Sequence, residues 1–513
     1  MVFSLGNLSA FGVLTASGLI AFSPTFFNLF SWDDCYIVLE NERIKDIAKI
    51  GELFSTTWAS GTTYALGNLQ NRPYYRPLAE ASLALDYAIA GADPFVFHLT
   101  NLLLHIASSC VLFLLLKNLS FRFAEGTQKT FPLLASLLWL LHPVHTEAVA
   151  LASYRTTLLS GLFLFSTLLL LHPQNISPLR FAFGLISYAL ALLSKETSAC
   201  APLLLFLLDA YSKNISKKRL SLVYIPLIAM TGGWFLWHQT VTSSNIYDFF
   251  GGLSPMQKVF MAFRIFFLYV RLCVLPYPLC PFYDYYVLGV PRSLFEGDIL
   301  AGIVLLFAMV FLMVYSTKSN RLVPFGIAFF FAALLPYAHI VPFFDPAGER
   351  FLYVPVAGFL VSVLSLCYGL SEKLQSFRLG LRYLSFVSIF AFAVLTFTRM
   401  QDWHDSKTIL IRTVEHFPNS VEARLGLGRL LLEEGNPFDA KPHLERAATL
   451  AKNTSAPYGL LAFAHAMSGD FRAAREWLLK APLPERGLPS AVQIVRSELL
   501  KRKMFEVLKV LGI

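Results

Sequence analysis

The sequence is poor in charged residues. Asp, Glu, Lys and Arg make up 15% of its 513 residues, whereas 56% are hydrophobic, and a soluble domain averages about 25% charged residues. Most of the chain is therefore solvated by lipid rather than by water. Apolar runs of about 15 to 20 residues, near the length that crosses a bilayer, recur as far as about residue 398. We predict an all-α, polytopic membrane helix bundle of about 11 spans over residues 1–398, and a soluble helical domain over 399–513.

Cysteine is also scarce. The six cysteines show neither the spacing of a metal site nor that of a disulfide framework. Cys273 and Cys280 could pair, but two isolated thiols are the favoured interpretation. The first apolar run lacks a cleavage site after it, which argues against a removed signal peptide and predicts a retained first span.

Basic residues give the chain a net charge of +9. They are concentrated in loops between apolar runs, at 118–129, 212–221, 316–321 and 370–382. This is the pattern of cytoplasmic loops in membrane proteins, and it outweighs the alternative of nucleic-acid binding, so we predict no nucleic-acid partner. The loops that then face outside are 31–95, 142–153 and 339–350.

Two segments have an ambiguous relation to the membrane. Residues 259–276 are long enough to cross, but Arg264 and Arg271 make a lipid-exposed crossing costly, so we predict a re-entrant or interfacial segment. The first outer loop carries apolar residues at helical spacing, namely Ile44, Ile47, Ile50, Phe54 and Trp58. Such a helix could lie in the acyl boundary or pack on neighbouring helices, and the sequence leaves both open.

The tail contains a repeat with an offset of 34 residues. The matched positions are Leu427, Gly428, Gly435, Ala440, Leu444 and Ala447 with Leu461, Ala462, Gly469, Ala474, Leu478 and Ala481. This period is typical of tetratricopeptide repeats, which are stacked helix pairs. We predict repeats at about 421–454 and 455–487 on the outer side. Because two repeats are marginal alone, we expect the tail to pack partly against the outer loops and to recruit an acceptor or partner.

Polar residues form clusters at the outer membrane edge. The members are Asp33 and Asp34; His142, His145, Glu147 and Arg155; Lys195 and Glu196; Asp345, Glu349 and Arg350; and Arg72 and Arg76. Each cluster alone could be charged side chains snorkelling to the interface, and the Asp pair could cap a surface helix. The His-x-x-His spacing lacks a third ligand, so no metal site is predicted; a divalent metal is an alternative that the sequence does not favour, and no cofactor is predicted to be required.

Together the clusters fit one chemistry. Moving a sugar from a polyprenyl-phosphate carrier requires a carboxylate that takes the proton of the acceptor hydroxyl, and cations that hold the departing phosphate. The carboxylate pair Asp33 and Asp34 is the predicted base. Arg350 and Lys195 are predicted to hold the phosphate, with Arg76 and Arg155 in reserve.

The motifs resemble those of a known family. They are "WDD" after the first apolar run, "HPVHTEAVA", "LSKET", "GERFLYVPVAGF" and the tail repeats. In this order they resemble the transmembrane O-mannosyltransferases with tetratricopeptide repeats and their bacterial relatives, of the GT-C superfamily. The resemblance implies an inverting transferase. It implies site roles for Asp34 as first choice of base, for Asp33 and Glu147, and for a substrate-binding set: His142, His145, Lys195, Glu196, Glu349, Arg350 and Tyr353.

The resemblance leads to a functional hypothesis with alternatives. We expect a membrane glycosyltransferase that uses a polyprenyl-phosphate sugar and a protein Ser/Thr acceptor at the outer face. In a bacterium this places the chain in the inner membrane with periplasmic repeats, and in a eukaryote in the endoplasmic reticulum with luminal repeats. The alternatives are a GT-C transferase for a lipid or glycan acceptor, and a non-catalytic scaffold anchored in the lipid bilayer.

Overall fold

The computed structural model describes residues 5–58, 60, 62, 74–119, 125–242, 250, 252–339, 345–373, 375–483 and 490–513. It is 78% helical, and within these ranges it has no strand. The prediction of an all-α fold is confirmed.

Sixteen α-helices form the part of the chain that precedes the tail, in the described ranges. They are α1 Leu5–Ala21, α2 Pro77–Ala90, α3 Pro94–Leu119, α4 Glu125–Leu140, α5 Thr146–Ala150, α6 Arg155–Leu171, α7 Pro178–Ser194, α8 Ala201–Ser212, α9 Lys217–Arg219, α10 Ile225–Val241, α11 Pro255–Val274, α12 Tyr285–Leu288, α13 Gly297–Tyr315, α14 Leu322–Leu334, α15 Pro355–Lys373 and α16 Gln375–Asp402. Short 3-10 segments, such as Pro143–His145, Glu196–Cys200 and Glu349–Leu352, lie at the ends of several of them.

The apolar helices are those of a multi-pass membrane protein. Among the described residues, five helices are long and apolar enough to cross a bilayer, or six if the pair Thr130–Leu140 and Pro143–Ala150, bent by 51°, is one span. Four shorter apolar helices accompany them, at Gly6–Ala21, Pro178–Ser194, Leu322–Tyr337 and Pro355–Ser371. A membrane bundle is therefore present, and the count of about 11 spans stays a prediction.

Helices α14 and α15 cross closely at two glycines. An atom added at the Cβ position of Gly358 would lie 2.7 Å from the carbonyl oxygen of Gly326 and 2.7 Å from the amide nitrogen of Phe330. Small residues at such crossings let helix backbones approach, which is how membrane helices gain packing contacts.

We expect Gly358→Val to destabilise the bundle by about 1–3 kcal/mol, because the added side chain must displace main-chain atoms. Thermal unfolding in detergent measures this. Gly380→Val in α16 is the matched control, since a Cβ there would meet no atom within 4 Å. Equal unfolding temperatures for the two variants would contradict the close-packing explanation.

Helix α11 contains the segment of uncertain topology, and it is not among the candidate spans that the described residues offer. Its Arg264 pairs with Glu296 and with Asp298, the latter at 2.7 Å, and donates to the carbonyl oxygen of Leu288 at 2.9 Å. The guanidinium is therefore neutralised by the start of α13. The re-entrant or interfacial placement of 259–276 stays a prediction.

The apolar stripe of the first outer loop is packed against protein. Instead of one long α-helix, the segment Ile47–Ser55 is a 3-10 helix that Asp46 caps by accepting from the amide of Ala48 at 3.1 Å. Ile44 and Trp58 are buried in a core with residues of α2, whereas Ile47 and Phe54 stay exposed. The sequence left open whether this stripe lies in the acyl boundary or packs on neighbouring helices. The buried residues Ile44 and Trp58 pack on neighbouring helices.

The tail is a stack of helices. They are α17 Ser406–His416, α18 Val421–Glu433, α19 Pro437–Leu450, α20 Ala456–Met467, α21 Phe471–Lys480, α22 Ala491–Lys501 and α23 Phe505–Leu511. The pairs α18/α19 and α20/α21 coincide with the two predicted repeats. Gly435 and Gly469 have φ angles of +80° and +77° in the turns inside these pairs, a conformation that favours glycine and explains why both recur at the repeat period.

The tail also contacts the membrane domain, including the predicted outer loop 31–95, where the amide of Trp32 donates to Ser406 at 2.9 Å. The amide of Leu29 donates to the carbonyl oxygen of His404 at 2.8 Å. Further along the stack, the amide of Glu422 donates to Asp284 at 3.3 Å. The expectation that the tail packs against the membrane domain is confirmed by these contacts.

Candidate active site

A cavity of about 260 Å³ lies between the outer loops and the tail. Its walls come from six parts of the chain that are distant in sequence. The lining residues are Trp32, Asp33, Ile37, Trp58, Tyr74, Arg76, Ser153, Tyr154, Thr156, Thr157, Lys195, Pro281, Phe282, Tyr283, Asp284, Asp345, Pro346, Ala347, Arg350, Phe351 and Glu422. Four of the predicted site residues are thus brought into one cavity: Asp33, Arg76, Lys195 and Arg350. Arg72, which the sequence grouped with Arg76, lies outside the described residues.

Arg350 is held by two carboxylates. Its amide donates to Glu147 Oε2 at 2.8 Å, its Nη1 pairs with the other oxygen of Glu147, and its Nη2 pairs with Asp345 at 2.6 Å. Burial alone would lower the pKa of this guanidinium, but Glu147, Tyr154, Asp345 and Asp33 hold it well above its usual value. Arg350 is therefore a permanent cation, and Asp33 lies within its electrostatic range.

The position of Glu147, one of the two carboxylates that hold Arg350, follows from the local sequence. Pro143 begins a 3-10 turn that leads into α5, and Glu147 lies in the first turn of that helix. A carboxylate is favoured at a helix N-terminus, and the side chain is buried where it meets Arg350. Glu147 is outside the cavity lining, so its contact with the site runs through Arg350.

Lys195 and Arg76 form the other cationic part of the cavity. Lys195 ends α7 and its Nζ donates to Thr157 at 2.9 Å. Burial, together with the nearby Arg76 and Arg350, lowers the pKa of Lys195 to about 7. Arg76 pairs with Glu196 through two bonds of 2.5 and 3.0 Å. Burial would raise the pKa of Glu196, but the ion pair with Arg76 outweighs it and lowers that pKa.

The two adjacent aspartates face different surroundings. Asp34 is 0% exposed, and its oxygens accept from the amides of Ala152 and Ser153 at 2.8 and 2.7 Å. Burial raises the pKa of Asp34 to about 7, although these bonds favour the charged form. Asp33 lines the cavity and Asp34 does not. The structure therefore anchors Asp34, the first choice of base, to the amides of Ala152 and Ser153, and of the two aspartates it is Asp33 that lines the cavity.

Glu349 lies behind the cavity wall. It is fully buried and accepts from the hydroxyl of Tyr283 at 3.3 Å, and Tyr283 itself lines the cavity. Burial raises the pKa of this carboxyl, and Arg399 opposes the rise. Among the described contacts, Tyr283 connects Glu349 to the cavity lining.

The predicted histidines and Tyr353 lie apart from the cavity lining, in an aromatic cluster. His105 bonds the hydroxyl of Tyr353 at 3.0 Å, and Trp139 donates to the carbonyl oxygen of Tyr353 at 2.8 Å. His142 contacts the carbonyl oxygen of Cys273 at 3.2 Å. His145 packs 4.8 Å from the ring of Tyr353. These residues support the wall that carries Glu147 and Arg350, and Tyr353 also lines a smaller space together with Thr157 and Lys195.

The described residues contain no group of three or more His, Cys, Asp or Glu side chains placed to hold a metal ion. All six cysteines are free thiols, and Cys273 and Cys280 are both buried. The pairing of these two cysteines, which the sequence left as an alternative, is absent at these two described positions.

Arg155 has a different setting from the other predicted cations. It is 0% exposed, pairs with Asp86 at 2.5 Å, and donates to Asn101 at 2.8 Å and to the carbonyl oxygen of Phe97 at 2.9 Å. These partners belong to α2 and α3. As a reserve phosphate ligand Arg155 is poorly placed, since it is outside the cavity lining and its donors are occupied by the protein.

Sequence reasoning missed several lining residues. They include Trp32, Tyr154, Thr157, Asp284 and Glu422. Tyr154 and Thr157 follow the "HPVHTE" motif by seven and ten residues, which was a usable signal. Asp284 lies between α11 and α13. Because the sequence does not settle whether α11 crosses the membrane, it does not show on which side Asp284 lies. Glu422 lies in the tail, and a repeat pattern contains nothing that points to a cavity in another domain.

Comparison with known proteins gives a consistent set of relatives. The chain is 24% identical over 448 residues to a protein O-mannosyl-transferase of Caenorhabditis elegans, which covers 85% of this chain and 62% of the relative. It is 24% identical over 482 residues to protein O-mannosyl-transferase TMTC3 of Homo sapiens, covering 83% and 49%. The resemblance to these transferases is confirmed.

Over 156 residues the chain is 33% identical to protein O-mannosyl-transferase tmtc2 of Xenopus laevis, covering 30% of this chain and 18% of that one. No protein-family model matches. The chain thus spans 62% and 49% of the length of the two relatives that it matches most broadly. A crystal structure of ArnT from Cupriavidus metallidurans bound to undecaprenyl phosphate aligns with 93% of this chain and 80% of that one, at 13% identity and a TM-score of 0.39.

Proposed function

We propose that this chain is a GT-C-type membrane glycosyltransferase that moves a sugar, mannose in the first instance, from a polyprenyl-phosphate carrier to a Ser or Thr hydroxyl of a protein at the outer face of the membrane. One observation carries the proposal: a single cavity contains a carboxylate, Asp33, together with the cations Arg76, Lys195 and Arg350. The names of the O-mannosyl-transferase relatives support the sugar and the acceptor class.

The reaction assigns one role to each group. The carboxylate of Asp33 takes the proton of the acceptor hydroxyl while that oxygen attacks the anomeric carbon. The bond between this carbon and the carrier phosphate breaks, and its electron pair stays on the phosphate oxygen. Lys195 and Arg350 stabilise the added negative charge. Attack opposite the leaving group inverts the anomeric centre.

The carrier needs access from lipid as well as from water. The cavity is lined by Thr157 of α6, by Lys195 at the end of α7 and by Phe351, which precedes α15, and these three residues also line a smaller space. The other walls of that space are apolar at Leu164, Ala333, Val354 and Pro355 and polar at Ser160, Thr197, Tyr337 and Tyr353. A phosphate head in the cavity would thus have a wall of mixed polarity on that side. Because the basic loops predict a cytoplasmic face on the opposite side, the cavity and the repeats belong to the outer side.

Incubation of the purified protein with a panel of polyprenyl-phosphate sugars and a Ser/Thr-rich peptide tests this function. We expect transfer with polyprenyl-phosphate mannose and an inverted linkage in the product. Transfer to a lipid or glycan acceptor alone would support the other GT-C alternative. Neither transfer nor hydrolysis with any donor, in protein that still binds polyprenyl phosphate, would favour a non-catalytic scaffold.

Donor affinity should depend on the protonation of Lys195. Because its pKa is lowered to about 7, the side chain loses its charge just above neutrality, and a bound phosphate diester would restore it. Binding above this pH is therefore coupled to proton uptake. We expect the affinity for polyprenyl-phosphate mannose to fall as the pH rises from about 7 to about 9, at most about tenfold per unit.

Lys195→Arg shows whether the loss of affinity comes from deprotonation of Lys195, since arginine keeps its proton throughout this pH range. Asp34 also titrates near pH 7, and its ionisation would weaken anion binding in the same direction. A pH dependence that persists unchanged in Lys195→Arg would assign it to Asp34 and contradict the role of Lys195.

A further inference from the structure

Trp32 connects the membrane domain to the tail. Its amide donates to the hydroxyl oxygen of Ser406, the first residue of α17, at 2.9 Å. Its ring packs against Phe282, with 4.3 Å between ring centres. On the tail side, an added Cβ at Gly426 in α18 would lie 3.1 Å from the Trp32 ring. The indole thus lies between Phe282, in the segment that joins α11 to α12, and the tail.

The main chain at Trp32 has an unusual conformation. Its φ angle is +49°, in the left-handed region that bulky residues rarely occupy unless the surroundings impose it. The bond to Ser406 and the packing at Gly426 are surroundings of this kind. The next residue along the chain is Asp33, the proposed base.

Asp33 is therefore flanked by two fixed points. On its C-terminal side Asp34 is held by the amides of Ala152 and Ser153, which belong to the membrane domain. On its N-terminal side Trp32 is held by Ser406, which belongs to the tail. The direction in which the Asp33 side chain enters the cavity depends on both.

The tail also contributes directly to the cavity wall. Glu422, in the first turn of α18, is a lining residue, and its amide donates to the lining residue Asp284 at 3.3 Å. The start of the first repeat is therefore fixed at the cavity on the side where Trp32 and Phe282 lie.

We propose that the tail is a structural part of the active site, in which Ser406 and Gly426 hold Trp32 and Trp32 acts as the positioning residue for Asp33. This inference rests on the proposed function and extends it. A tail that only recruits the acceptor would change acceptor binding, whereas a tail that positions the base sets the rate of the chemical step for every acceptor, water included.

Ser406→Ala tests the inference with a small change. It removes the hydroxyl that accepts from Trp32 and leaves Asp405, the N-cap of α17, in place. With polyprenyl-phosphate mannose as donor, we expect kcat to fall about twofold to tenfold for both hydrolysis and peptide transfer, the range for one lost hydrogen bond, while the KM for donor stays unchanged.

Ser468→Ala is the matched control, because its hydroxyl bonds the carbonyl oxygen of Ala464 within the second repeat. This variant should keep the parent kcat. Hydrogen exchange of the peptide containing residues 31–39 should become faster in Ser406→Ala and stay at the parent rate in Ser468→Ala. Gly426→Val, which forces a side chain against the indole, should lower kcat further.

The outcomes separate the two proposals. If the parent protein transfers no sugar, the proposed function fails and catalytic positioning fails with it. If the parent is active and Ser406→Ala matches Ser468→Ala in kcat and in exchange, the proposed function stands and the positioning role is overturned. A change confined to the KM for the peptide acceptor would also overturn it, in favour of recruitment alone.

Discussion

Replacing Asp33 with Asn should abolish most sugar transfer while leaving the protein folded and able to bind donor. The amide has nearly the shape of the carboxylate but cannot accept the proton of the acceptor hydroxyl, and a general base contributes about 10²–10⁴-fold to the rate. Initial rates with polyprenyl-phosphate mannose and a Ser/Thr peptide measure the loss. Because Asp33 lines the cavity beside Arg350, donor affinity should stay the same or rise when its charge is removed.

Asp34→Asn is the matched comparison, because it tests whether Asp33 or its neighbour is the base. Its side chain would keep one acceptor for the amides of Ala152 and Ser153 and lose the other. We expect a loss of stability of about 1–3 kcal/mol and a smaller loss of rate than in Asp33→Asn. A full loss of transfer in Asp34→Asn, with a parent-like unfolding temperature and an active Asp33→Asn, would return the role of base to Asp34.

Replacing Arg350 with Ala should have two large effects. Buried Glu147 loses the cation that neutralises it, and breaking a buried ion pair from one side costs about 3–5 kcal/mol of stability. The cavity also loses a forked phosphate ligand. Thermal unfolding and binding of polyprenyl phosphate measure the two losses separately.

Two further variants decide between a structural and a binding role for Arg350. Arg350→Met combined with Glu147→Gln removes the unpaired charge, so it should recover stability without recovering donor binding. Arg350→Lys should recover part of both, because lysine keeps the charge but lacks the planar fork that contacts Glu147 and Asp345 together. Donor binding at the parent level in the folded double variant would show that Arg350 supports the wall and does not hold the phosphate.

The sequence selected several residues that share the cavity, but it did not predict their geometry. Lys195 and Arg350 lie at the boundaries of apolar runs beside carboxylates, and the need of a departing phosphate for cations was enough to select both from the residue pattern. Which of two adjacent aspartates enters the cavity depends on the amides of Ala152 and Ser153, and nothing in the residues around Asp34 reveals that contact. Arg155 shows the same limit, since its partner Asp86 is far away in sequence.

The repeat pattern of the tail predicts the helices within each repeat but not the contacts between the tail and the membrane domain. The period of the small residues placed the helix pairs and the turns at Gly435 and Gly469, because these are local requirements of each pair. The contact of Ser406 with Trp32 lies between domains and leaves no periodic signal. Gly426 could be taken for an ordinary packing glycine of the stack, and only the structure relates it to the indole.

Asp345 is the carboxylate of the cavity lining that pairs directly with Arg350. One branch of the guanidinium, Nη2, is 2.6 Å from this carboxylate, and Asp345 is itself a lining residue. On the proposed mechanism, a carrier phosphate that binds Nη2 exchanges places with Asp345, so the donor competes with an internal ligand. After transfer the spent carrier would face the same competitor, and Asp345 would then act in favour of product release.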